Sequence, residues 1–115
     1  MSKDRSSISV ATHKSSAPLF AALGDPTRLG LVSWLCDGGP MSITRLTTGS
    51  NVTRQAISKH LRVMEDAGLL RNTRHGRESI WELDQARLRE VRRYLKMISK
   101  QWDDALDRHR KSVED

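Results

Sequence analysis

From residue 53 to residue 67 the apolar positions recur at helical spacing. Ile57, Leu61 and Met64 fall on one face, flanked by Ala56, Val63 and Ala67. The opposite arc collects Arg54, Gln55, Ser58, Lys59, Arg62, Glu65 and Asp66, so its first turns hold cations, an amide and a hydroxyl but no acid. Thr53 supplies an N-cap, although Ala56 stands where Glu or Gln would complete a capping box. Gly68 is placed to end the helix in a left-handed conformation. The period then changes from 3.6 to two. Short extended runs at 69–72 and 78–83 flank the turn Thr73-Arg74-His75-Gly76-Arg77, and Ser79, Trp81 and Leu83 share one side of the second run. Trp81 and Leu83 can therefore cover the helix. A helix basic on its free face, followed by a basic-tipped hairpin, predicts a winged helix-turn-helix.

Upstream, residues 1–16 are rich in Ser, Lys and Thr without a sustained apolar period, and read as a mobile tail. Order is expected from Ala17, in a short apolar helix carrying Leu19, Phe20 and Leu23. Asp25 is an N-cap followed by Pro26 at the first helical position, and that helix runs to Cys36 before Gly38-Gly39. Ser42 caps a third helix over 43–48, with Ile43 and Leu46 inward. The turn Thr48-Gly49-Ser50-Asn51 then joins it to the helix at Thr53, making the helix-turn-helix unit.

Downstream, Asp84 caps the longest helix, expected over 85–110, with 111–115 as a tail. Its apolar residues Leu88, Val91, Leu95, Ile98, Trp102 and Ala105 are spaced alternately three and four apart, the seam of a coiled coil. Such a helix is roughly 39 Å long at 1.5 Å per residue, more than so small a domain can cover. A second copy of the chain is the expected cover. The predicted fold class is mainly α with a small β-hairpin wing, dimerising through its terminal helices, in one domain over 17–110.

Composition narrows the class further. The 115 residues carry a formal net charge of +6 with a pI near 10.1, and aromatic residues make up 4%, so the core must be mostly aliphatic and the favoured partner is polyanionic. Residues 42–83 hold seven Lys or Arg against four acids, which puts the cations where the helix and hairpin need them. The single cysteine, Cys36, excludes an intramolecular disulfide and fits a reducing cytoplasm. No apolar run reaches transmembrane length, so no membrane partner is expected.

Arg54, Gln55, Ser58 and Lys59 are the expected groove readers, with Gln55 suited to adenine and Arg54 to guanine or phosphate. Thr53 stands at the head of that helix, and Arg62 lies deep enough in it to reach phosphate only. Arg74 and Arg77 are expected on the backbone or in the minor groove, with His75 at the hairpin tip beside them. His60 falls on the apolar side and reads as a buried, hydrogen-bonded core histidine. Cys36 reads as a packed cysteine, with a thiol sensor as its alternative. The run Arg87, Arg89, Arg92, Arg93, Lys96 and Lys100 reads as the wet face of a dimer helix. Catalysis has no foothold: Ser33 and Cys36 lack a base at legible spacing, and no Gly-rich loop cradles phosphate. No cofactor is expected.

Taken in order, Leu23-Gly24-Asp25-Pro26-Thr27-Arg28-Leu29, Thr53-Arg54-Gln55-Ala56-Ile57-Ser58-Lys59-His60-Leu61 and Glu65-Asp66-Ala67-Gly68-Leu69-Leu70 resemble the ArsR (arsenical repressor) family of bacterial winged-helix regulators. Gly76-Arg77-Glu78 and Trp81-Glu82-Leu83 extend the resemblance, which covers about residues 17–110. It implies a homodimeric transcriptional repressor whose recognition helices enter successive major grooves and whose first and last helices pair across a two-fold. The chain departs from the metal-sensing members. Residues 42–48 contain neither Cys nor His, and Asp107-x-His109 matches only the first half of a last-helix site, so no metal ligands are assigned. The expected function is sequence-specific binding of a double-stranded operator by a cytoplasmic homodimer, open to an unidentified small-molecule or protein effector. The alternatives are a metal- or thiol-responsive repressor using Cys36, and a winged-helix protein-interaction module that does not bind DNA.

Overall fold

The computed structural model describes residues 10–114. Eight elements follow in order: α1 (Val10–Leu23), α2 (Pro26–Gly38), β1 (Met41–Ser42), α3 (Ile43–Thr47), α4 (Arg54–Asp66), β2 (Leu70–His75), β3 (Glu78–Leu83) and α5 (Gln85–Glu114). The architecture is the expected one, helices with a hairpin wing. The wing is a three-stranded antiparallel sheet in the order β1-β3-β2, however, not a lone hairpin. The two residues of β1 carry no periodic signal. They are strand because Met41 pairs with Trp81 and Ser42 with Ile80.

Local chemistry sets the helix ends. The Asp25 carboxylate accepts the backbone N–H of Arg28 at 3.0 Å, the Thr53 hydroxyl that of Ala56 at 3.2 Å, and the Ser42 hydroxyl that of Arg45 at 3.2 Å. Each satisfies a donor the helix itself cannot. At the C-terminus of α4, Gly68 N–H donates to the Glu65 carbonyl and Leu69 N–H to the Met64 carbonyl, both at 2.9 Å. That is a Schellman cap, and its left-handed residue is Gly68, at φ +84°. Met64 and Leu69, the apolar pair that accompanies this cap, are both fully buried.

Ile57, Leu61 and Met64 bury the inner face of α4 against Leu19, Leu31, Leu35, Leu46, Leu70 and Trp81 in one aliphatic core. Leu61 is wholly excluded from water. Its truncation to Ala would cost about 2–5 kcal/mol through lost transfer energy and the cavity left behind.

Four further expectations about the elements and the core need correction. The N-terminal tail expected over residues 1–16 is helical from Val10, and Ser16 is buried beneath it; residues 1–9 lie outside the described residues. The turn expected over 73–77 is strand through His75. Only Gly76 and Arg77 are left to turn the chain, with φ +64° at Gly76, the pattern of a type II′ hairpin. Helix α5 continues through the expected tail to Glu114. Finally, Leu19 and Val91, expected at a dimer interface, lie within the protomer's own core, because α1 lies along the first turns of α5 and covers them.

Candidate nucleic-acid interface

The buried face of α4 fixes what its other face can do. With Ile57, Leu61 and Met64 inward, the side chains of Arg54, Gln55, Ser58, Lys59 and Arg62 line one open depression on the outside of the helix. Ser58 is half-buried and the other four are exposed. The residues expected to read a groove are thus brought together. Thr53 holds the head of the helix by its cap, so its hydroxyl is already engaged as an acceptor. This row of two guanidinium groups, an ammonium, an amide and a hydroxyl has the donors that base edges and phosphates accept, and no carboxylate interrupts it.

The wing divides its basic residues between two faces. Cross-strand pairs place Arg74 with Ser79, on the side that also carries Leu70 and Trp81, and His75 with Glu78 on the other side. All three expected wing residues, Arg74, His75 and Arg77, are exposed. Arg71, also on β2, has an acidic partner in Glu82, at 3.5 Å.

His60 departs from expectation. It is hydrogen-bonded but not a core residue. Its side chain is 23% exposed, with Nδ1 3.2 Å from an Arg28 guanidinium nitrogen and 3.8 Å from the Asp25 carboxylate. The backbone N–H of Arg28, ahead of the Arg28 charge, holds the Asp25 carboxyl below its ordinary value. Arg28 itself was legible only as part of a capping sequence, and nothing in its spacing pointed to His60.

Cys36 is exposed, against the expectation of a packed cysteine. Leu31, Val32 and Leu35 occupy the inward arc of α2, leaving Cys36 at the rim of a shallow hollow with Pro40, Leu83 and Leu88. Arg45, overlooked in the sequence, is exposed in the last turn of α3, the helix that precedes α4. A first helix in that position ordinarily crosses the phosphate backbone, and the bare basic residue there is the signal that could have found it. Among the described residues no group of three or more His, Cys, Asp or Glu could hold a metal ion, and no helix is long and apolar enough to cross a membrane. Asp107 pairs instead with Arg110, at 3.7 Å.

Fold and surface together define a winged helix-turn-helix regulator of transcription, a class that binds DNA and carries no catalytic apparatus. The sequence profile of the helix-turn-helix domain matches residues 23–73. An ArsR-like transcriptional regulator from Rhodococcus sp. RHA1 superposes with a TM-score of 0.77 and 34% identity, over 89% of this chain and 95% of that one. An uncharacterized HTH-type transcriptional regulator of Bacillus subtilis is 40% identical over 51% of this chain and 71% of its own length. The arsenical resistance operon repressor of Escherichia coli is 36% identical over 51% of this chain and 50% of its own. The chain belongs to the ArsR family of transcriptional regulators.

Proposed function

We propose that the chain is a cytoplasmic, homodimeric repressor that binds a two-fold operator, one α4 in each of two successive major grooves. The observation that carries this reading is the single row formed by Arg54, Gln55, Ser58, Lys59 and Arg62 on the outside of a helix whose other face is locked in the core. Arg54 and Gln55 stand in the first turn, where side chains reach the groove floor, and the deeper Arg62 holds phosphate. Arg74, His75 and Arg77 carry the wing onto the flanking backbone. Leu95, Ile98, Trp102 and Leu106 make the second half of α5 an exposed apolar strip, with Trp102 64% exposed. A strip of that kind suits burial against a second copy. Leu88 and Ala105 border it, and the half-buried Phe20 and Leu23 of α1 stand by. Selection of bound duplexes from a random pool, followed by a mobility-shift assay on the winning sequence, tests the reading. Enrichment of an inverted repeat with half-sites about one helical turn apart is expected, and a pool that enriches no sequence rejects it.

A second reading adds thiol control through Cys36, favoured by its exposure. Operator binding by wild type and Cys36→Ser, each with and without a thiol oxidant, separates the two. Sensitivity lost with the sulfur supports control, and equal behaviour excludes it.

A further inference from the structure

Three helices meet at one side chain. The Nε–H of Arg28 donates to the carbonyl of Ala22 at 2.5 Å, its Nη2 donates to the carbonyl of Ala21 at 3.5 Å, and its Nη1 lies 3.2 Å from Nδ1 of His60. Ala21 and Ala22 belong to the last turn of α1, where the Gly24 N–H also reaches the Ala21 carbonyl, at 3.2 Å, and Arg28 supplies the donor to the Ala22 carbonyl. His60 lies in the middle of α4, between Lys59 and Arg62. A guanidinium carries only donors, so the contact with His60 requires a lone pair on Nδ1 and leaves the proton of the neutral ring on Nε2. The Asp25 carboxylate, 3.8 Å from the same ring nitrogen, caps the helix that presents Arg28 and so fixes where the guanidinium starts.

The apolar core beneath α4 resists its withdrawal but is poorly directional. A hydrogen bond from a planar fork is directional, and this one acts on the flank of the helix, where it opposes roll about the axis. Groove-facing atoms sit about 6 Å from that axis, so a roll of about 10° displaces them by about 1 Å, beyond the tolerance of a binding constellation. We infer that Arg28 and His60 are positioning residues for base readout: the pair fixes the roll of α4 against α1, and through it the direction in which Arg54, Gln55 and Lys59 point. This inference rests on the DNA-reading role proposed for α4.

Two variants separate positioning from bulk stability. His60→Leu keeps the volume without an acceptor, whereas His60→Asn offers a carbonyl oxygen close to where Nδ1 stands. Binding is measured on the selected operator and on a scrambled duplex of equal length, with thermal unfolding in parallel. His60→Leu should bind the operator about tenfold more weakly, the worth of one charge-assisted hydrogen bond, and the scrambled duplex within about twofold of wild type. His60→Asn should recover most of the loss. Equal losses on both duplexes, an unaffected His60→Leu, or a His60→Asn as weak as His60→Leu would each overturn the inference. A wild type without sequence preference would remove the DNA-reading role itself, a separate failure visible before any variant is compared. Imidazole nitrogen shifts in the free protein give a reading that needs no DNA. The Nε2–H tautomer is expected at neutral pH, giving way to a mixture in Arg28→Met, and an Nδ1–H tautomer in wild type overturns the pairing.

Discussion

The hydroxyl of Ser15 donates to Oε2 of Glu90 at 2.6 Å, joining residues 75 positions apart. Ser16 donates to the same oxygen at 3.3 Å, and Arg87 holds the other carboxylate oxygen at 3.0 Å. One carboxylate on α5 therefore collects two hydroxyls from α1 and a guanidinium from its own helix. Phe20 and Tyr94 meet edge to face farther along the same contact, with ring centres 5.5 Å apart. This junction ties α1 to α5.

Its pH dependence has a definite sign. The Ser15 hydroxyl first, then Arg87 and Ser16, hold the Glu90 carboxyl below its ordinary value. A depressed folded-state value means that stabilisation is fully present above the ordinary glutamate range and is lost as pH falls through the folded value. Thermal unfolding of wild type and Glu90→Gln should therefore differ at neutral pH and converge as the solution is taken below about pH 4. A constant gap across that range would show that the charge on Glu90 contributes nothing.

Base readout should be concentrated at the front of α4. Arg54→Ala or Gln55→Ala should each cost about 1–3 kcal/mol on the selected operator and relax choice at one or two base pairs. Fresh selection with each variant checks this. An unchanged motif at wild-type affinity would mean that the front of the helix does not face the bases.

The wing should hold DNA electrostatically. Arg77→Ala should weaken operator and random duplex alike and lower the log–log salt slope by about one unit for each phosphate that is no longer neutralised. A loss confined to a single base position would instead make the wing a sequence reader.

Dimerisation should depend on the outer half of α5. Ile98 is 38% exposed and Leu95 47% exposed on a strip that the described residues of the protomer leave open to solvent. Ile98→Asp should remove an apolar contribution of about 1.5–3 kcal/mol in each chain and set two carboxylates near the axis. Sedimentation at matched concentration should then show a monomer. A wild type that is itself monomeric at micromolar concentration would discard the strip as an interface.

The parts of this fold that were legible are those whose signal is local. Ile57, Leu61 and Met64 announce α4 by their period, and Thr53 and Gly68 mark its ends by their own chemistry. The outer row of Arg54, Gln55, Ser58, Lys59 and Arg62 followed directly, because fixing one face of a helix fixes the other. The illegible parts depend on partners distant in sequence. Residues 10–16 lack an apolar period and are ordered instead by hydroxyls reaching Glu90. Met41 becomes strand only because Trp81 lies beside it. Arg28 reads as the fourth residue of a capping sequence until His60, 32 positions later, is seen against it. Val91 fits the heptad seam as well as Leu95 does, and only the path of α1 decides that one is core and the other is bare.

Gly68 gives the beginning of α5 a meaning that its length alone does not. A β-carbon on Gly68 would stand 3.3 Å from Nε of Arg87, so the Arg87 side chain, from the first turn of α5, lies over the end of α4. Val91 is still in the core, and Leu95, four residues on, is the first large apolar side chain of α5 to emerge from it. The helix passes from the Arg87 contact with α4 to the exposed strip at Leu95 in about two turns, without a break. A residue inserted between them would lengthen the protein by only about 1.5 Å but swing everything beyond it through about 100°. That short span acts as an angular setting, and a drift in its residue count would leave each half folded but facing the wrong way.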